Sequence, residues 1–288
     1  MAPFTIAQQP SILNRQISRG DIGCLLLAEF FIAALPPLEQ TSTIGGLLQH
    51  IAAQNVFFLF AVFVAAKRIL ESDRLEVPSR LDIFNAAIGT ILFAVSCFFG
   101  VEQLAGLGLT VVIILFMVSG TKDLSFRSAM LVCFALALNI FWGPLIFQTF
   151  TAQIIAFDSS LLKLAYSFLR PDIKAEGVTF ASSNGFGIVI VGVCSVFNSA
   201  SVAFLASTAI GQYARPGWFA RDAVVAAIVL AAMIVINTCR LVLMGWDRDL
   251  FAYWHDGGGA PVVAITQTIV IAVIATLGAI WAAREKRF

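Results

Sequence analysis

What most limits the fold of this chain is a series of long apolar runs, with charge confined to the stretches between them. The runs fall at about residues 22–38, 44–66, 83–101, 104–119, 128–149, 194–211, 223–244 and 261–283. A helix needs about 20 apolar residues to cross hydrocarbon about 30 Å thick. Backbone inside hydrocarbon must satisfy its own hydrogen bonds, so each run reads as a helix. Composition agrees: 59% of the 288 residues are apolar and 12% charged, against about half and a quarter in soluble chains. The expected fold is all-α, a polytopic integral membrane protein with about eight transmembrane helices in a single domain, 1–288. The first run follows Arg15 and Arg19, is interrupted by Glu29 and closes at Pro36-Pro37. No A-x-A site follows it, so it reads as a span rather than a signal peptide.

Positive charge orients these spans. The N-terminus, 67–80, 120–127, 212–222 and the C-terminal tail hold thirteen of the eighteen Lys and Arg residues. By the positive-inside rule, both termini are expected in the cytoplasm. The long loop after residue 150 then lies outside. Within it, Ile154, Ile155, Leu161, Leu162, Leu164, Ala165 and Phe168 form a stripe at helical spacing that ends at Arg170-Pro171. This predicts an amphipathic helix at the membrane surface. Ile188 to Val191 suggests an extended segment leading into the sixth span. The chain thus divides into an N-terminal helical half (1–150), an outer loop with a surface helix (151–193) and a second helical half (194–288). A net charge of +1 argues against a nucleic-acid partner. The expected surroundings are a lipid bilayer. Two histidines and five cysteines show no zinc-like spacing, and no Gly-rich phosphate loop occurs, so no cofactor or metal is expected.

The polar residues of the second half carry the chemistry. Cys194-Ser195 stands at the expected start of the sixth span. If the helix began there, free N–H groups and the helix dipole would favour a thiolate, the nucleophilic form. Arg240 lies near the outer end of the seventh span. An arginine in an apolar run must pair or face a polar cavity, or else snorkel to the interface. Asn237, three residues earlier, shares its helix face. His255-Asp256 precedes Gly257-Gly258-Gly259. Histidine can take and return a proton at neutral pH, and Asp256 is a possible orienter. The topology, assigned from basic loops alone, puts Cys194, Arg240 and His255 on the outer side together.

Cys194-Ser195, Asn237-x-x-Arg240 and His255 followed by glycine, in that order, resemble the exosortase/archaeosortase family over roughly the last hundred residues. Val196 departs from that pattern, where the family usually has Gly. The resemblance implies a membrane cysteine transpeptidase or protease in the cytoplasmic (inner) membrane, with its site facing the exterior. Its substrates would be membrane-anchored proteins with a C-terminal sorting tail: a short motif, a helix and a basic cluster. Cys194 would attack and form a thioester, His255 would act as acid and base, and Arg240 would stabilise charge. Ser195, Asn237 and Asp256 would support them. Two other readings stay open: a small transporter or channel lined by Glu29 and Arg240, and a non-catalytic scaffold. His50, beside Gln49, Gln54 and Asn55, is the competing histidine and reads as structural.

Overall fold

The structure, a computed structural model, describes residues 17–33, 56–72, 78–100, 102–118, 123–182, 185–217 and 220–284. His50 and the first part of the second expected span lie outside the described residues.

The apolar runs form helices, as their periodicity and hydrogen-bonding needs dictate. They are α1 (Arg19–Ala33), α2 (Val56–Glu71), α3 (Arg80–Phe99), α4 (Glu102–Val118) and α5 (Leu124–Ala137). A π-helical turn, Leu138–Trp142, joins α5 to α6 (Gly143–Thr149). Pro144 has no N–H to return to the preceding turn, which accounts for the break in the α register. Then come α7 (Thr151–Leu169), α8 (Phe197–Ala214), α9 (Ala220–Met244), α10 (Arg248–His255) and α11 (Gly259–Ala283). Among the described residues, four stretches are long and apolar enough to cross a membrane: Arg80–Phe99, Leu124–Thr149, Ala220–Met244 and Gly259–Ala283. Gln103–Val118 is a shorter apolar helix. Large apolar side chains such as Phe84, Phe98, Ile265 and Leu277 remain exposed on these helices, as expected where the surrounding solvent is lipid.

Helix ends carry their own signals. Ser79 and Asp82 form a reciprocal capping box at α3: the Asp82 N–H donates to Ser79 Oγ (3.1 Å) and the Ser79 N–H to Asp82 Oδ2 (2.9 Å). Arg19 joins the same carboxylate at 3.1 Å. Arg68, on the last turn of α2, donates to the carbonyls of Gln212 (2.9 Å) and Tyr213 (3.0 Å) at the end of α8. Arg215 pairs with Asp222 at 2.7 Å. These charged clamps mark one end of the bundle. Between α3 and α4 the helices approach closely: a Cβ at Gly108 would stand 2.9 Å from Leu92 Cβ, so only a small residue fits.

Among the described residues, three apolar clusters result. The largest joins α1 to α5 with one face of α8, through Leu26, Phe30, Val64, Phe116, Met130 and Leu205. A second packs α8, α9 and α11 together through Ala206, Val229, Met233 and Ile271. The third caps the end opposite the charged clamps. It contains Leu162 and Tyr166 of α7, Phe180, Ile188, Cys194 and Leu241.

The cap departs from a purely helical fold. Residues 174–189 form a small antiparallel sheet of three strands, β1 (Lys174–Glu176), β2 (Thr179–Ala181) and β3 (Gly187–Val189), in the order β1-β2-β3. The expected extended segment is realised as β3 and the Ile190 N–H, which donates to Val178 O at 2.9 Å. Phe180 and Ile188 are paired neighbours and point into the cap. Arg170 fixes the sheet to α7: it grips Asp172 (2.8 Å), reaches Ser182 Oγ (3.2 Å) and stacks on Trp246 at 4.9 Å. That grip holds the Asp172 carboxyl well below the usual carboxylate range.

Candidate active site

Cys194 does not begin a helix. Residues Gly192–Cys194 form a 3-10 turn, Ser195 is extended, and α8 starts at Phe197. The expected first-turn thiol is therefore corrected. The turn is closed by the Cys194 N–H on Val191 O (2.9 Å) and the Ser195 N–H on Gly192 O (3.0 Å). The free N–H groups at the helix start go elsewhere. Ser195 Oγ accepts from the Phe197 N–H at 3.1 Å. Asp158, buried on α7, lies beside the Ser195 hydroxyl and the Val196 N–H, the polar groups that lower its carboxyl against the effect of burial. The helix dipole thus meets a carboxylate rather than the thiol.

Asp158 was missed by the stripe reading, which followed apolar residues only. The buried face of α7 is instead Asp158, Ser159, Leu162 and Tyr166, while Leu164 and Phe168 are exposed. The spacing of 158, 162 and 166 was the available signal: four residues apart, on one face. Asp158 is 3% exposed, and its Oδ2 has no partner among the described residues. Burial pushes its carboxyl above the ordinary aspartate value, partly offset by the bonds from Ser195 and Val196.

Helix α9 supplies the remaining grips. Asn237 is buried and donates through Nδ2 to Cys194 O at 2.9 Å. Arg240, one turn on, donates through Nε to Trp254 O at 3.2 Å, the residue before His255. Asn237 and Arg240 thus tie the cysteine turn and the end of α10 to one helix. The Tyr166 hydroxyl donates to Leu241 O (3.3 Å) and Val242 O (3.1 Å), in the last turn of α9. Burial pushes the Tyr166 hydroxyl up to about 12, so it stays a donor at any ordinary pH.

His255 is half-buried and its ring stacks on Phe251, with centroids 4.9 Å apart and planes 16° apart. Phe251 meets Phe186 edge-on at 6.2 Å, which links the histidine to the sheet. Asp256 Oδ2 lies 2.8 Å from His255 Nδ1. The pair lacks hydrogen-bond alignment, and Asp256 is largely in solvent. Stacking on Phe251 is therefore the stronger constraint on the ring. Among the described residues, no hydrogen bond or ion pair joins the Cys194 thiol to Arg240 or His255. Cys194 is 7% exposed, so the residue is largely covered.

The other candidates lie apart. Glu29 is buried on α1 and faces Thr90 of α3, in the N-terminal bundle. Among the described residues, no cluster of His, Cys, Asp and Glu suits a metal ion. Geometrically, the cap offers a closed thiol, a guanidinium and an imidazole gathered at one end, set by buried polar contacts. No family model, curated protein or solved structure matches this chain.

Proposed function

We propose that this chain is a membrane-embedded cysteine transpeptidase or protease that cleaves C-terminal sorting tails on the outer side of the cytoplasmic membrane. The observation that carries the reading is the double grip of α9. Asn237 holds the Cys194 carbonyl at 2.9 Å, and Arg240 holds the residue before His255 at 3.2 Å. In this reading the chain crosses the membrane about eight times with both termini inside, and the cap faces out.

The chemistry follows from the three side chains. The Cys194 thiol gives its proton to His255 as Sγ attacks the scissile carbonyl carbon. A C–S bond forms and the carbonyl oxygen becomes an oxyanion, which the Arg240 guanidinium stabilises. Collapse breaks the C–N bond, and His255 returns the proton to the departing amine. An incoming amine or water then releases the acyl group from the thioester. Because the thiol is closed off, substrate binding must part α7 or the sheet from α9. Closure over the bound chain would also exclude bulk water and favour an amine acceptor.

The deciding experiment replaces Cys194 with Ala in cells. Tail-bearing membrane proteins should then keep a segment of about 20 apolar residues and run as longer forms. Cys194→Ser and His255→Ala should give the same uncut band. Unchanged masses for every membrane protein in all three variants would refute the peptidase reading.

A further inference from the structure

We propose that α7 is the positioning element of this site: Asp158 and Tyr166, two turns apart on one face, together set Cys194 against Arg240. The proposal rests on the reading of Cys194 as the nucleophile.

Each residue meets the end of a helix other than its own. Asp158 is buried on the face of α7 whose Leu162 and Tyr166 pack in one cluster with Cys194, and it lies beside the Ser195 hydroxyl and the Val196 N–H at the start of α8. Val196, in the N-cap position, makes no side-chain cap of its own. A carboxylate at a helix N-terminus is the electrostatically favoured sign. Tyr166 donates to Leu241 O and Val242 O, carbonyls of the last turn of α9 that begin directly after Arg240. A donor at a helix C-terminus is again the favoured match. Eight residues separate 158 from 166, which is about 12 Å along the helix axis. The same helix therefore holds the cysteine turn at one point and the arginine turn at another, at a fixed spacing.

Asn237 closes the figure by joining α9 back to Cys194 O. Three elements then restrain one another: α7 to the cysteine turn, α7 to α9, and α9 to the cysteine turn. No single link in such a set can move alone. Acyl transfer demands this, since misplacement by about 1 Å can cost about 100-fold in rate. The remaining faces of α7 agree with a scaffolding role. Leu162 packs in the cap between the two anchors, while Phe157, Leu164 and Phe168 face outward.

The test uses the purified full-length chain and alkylation by N-ethylmaleimide, read residue by residue by mass spectrometry. This readout needs no substrate and no activity. Cys133, fully buried in α5, serves as an internal control, because general loosening would expose both thiols. Asp158→Ala and Tyr166→Phe should each speed Cys194 alkylation by about tenfold, the scale of one lost hydrogen bond, and leave Cys133 unchanged. Asp158→Asn keeps an acceptor oxygen and should restore a rate close to the parent. The double variant Asp158→Ala/Tyr166→Phe should depart from the product of the single effects, because the two links share the cysteine turn and α9. Parent-like alkylation of Cys194 in both single variants would overturn the proposal, as would equal acceleration at Cys133. If Asp158→Ala does not fold, Tyr166→Phe removes one oxygen only and decides alone. Tail cleavage surviving Cys194→Ala would instead defeat the peptidase reading, whatever the alkylation rates show.

Discussion

Replacing Asn237 with Ala tests the link on which the site geometry most depends. The side chain is 5% exposed and its Nδ2 donates to Cys194 O at 2.9 Å. Alanine leaves that carbonyl buried without its partner. An orphaned buried polar group costs about 1–3 kcal/mol. The cost falls on the closed form of the 192–196 turn, because opening lets water reach the carbonyl. At about 1.4 kcal/mol per factor of ten, the opening equilibrium should rise about 5- to 150-fold. Amide hydrogen exchange reads this directly. The amides of Cys194 and Ser195, which close the turn on Val191 and Gly192, should exchange faster by that factor. Amides in the middle of α9, around Val229 and Met233, should not change. Asn237→Asp should match or exceed alanine, since it loses the donor and sets a negative charge against a carbonyl. Unaltered exchange at Cys194 and Ser195 in both variants would show that Asn237 does not hold the turn.

Other perturbations give sharp outcomes. Arg240→Lys keeps the charge but loses the planar fork, so tail cleavage should fall about 100- to 1,000-fold at equal protein level; near-parent turnover would reduce Arg240 to an interfacial charge. Gly245→Ala places a methyl group onto the Tyr166 hydroxyl, so the thermal midpoint should drop by an amount equivalent to about 1–3 kcal/mol, and Tyr166→Phe should relieve part of the loss. Arg170 lowers the Asp172 carboxyl, so the stabilising link is fully present above the ordinary aspartate value. It is lost as pH falls through the lowered one. Exchange over residues 172–182, corrected for intrinsic rate, should therefore rise only in strong acid, and Asp172→Asn should raise it already at neutral pH.

The helical framework was legible because membrane spans are written as long apolar runs. The seventh and eighth runs, 223–244 and 261–283, became α9 and α11 with starts two or three residues earlier. The cap was harder to read, because its order comes from side chains reaching between elements. Nothing local distinguishes Cys194 as the end of a 3-10 turn from Cys194 as the start of a helix; Ser195 decides it by accepting the Phe197 N–H. Asp158 itself escaped notice because the surface-helix pattern weighs apolar residues. On α7 Asp158, Ser159 and Tyr166 are turned inward beside Leu162. The three strands are three residues each, too short for an alternation to stand out, and they are set by Arg170, Asp172 and Ser182.

The grip of α9 on Cys194 also has a consequence for the order of synthesis. The cysteine turn emerges from the ribosome well before its holders, since Asn237 follows by 43 residues and Trp254 comes later still. At about 5–20 residues per second, the chain needs about 3 to 12 s to pass from Cys194 to the end of α10. Until that interval ends, the thiol-bearing segment lacks the complete set of Asn237, Arg240 and His255. Under the proposed function, a nascent chain would thus be inert toward neighbouring membrane proteins, and one that stalled before residue 237 would stay so.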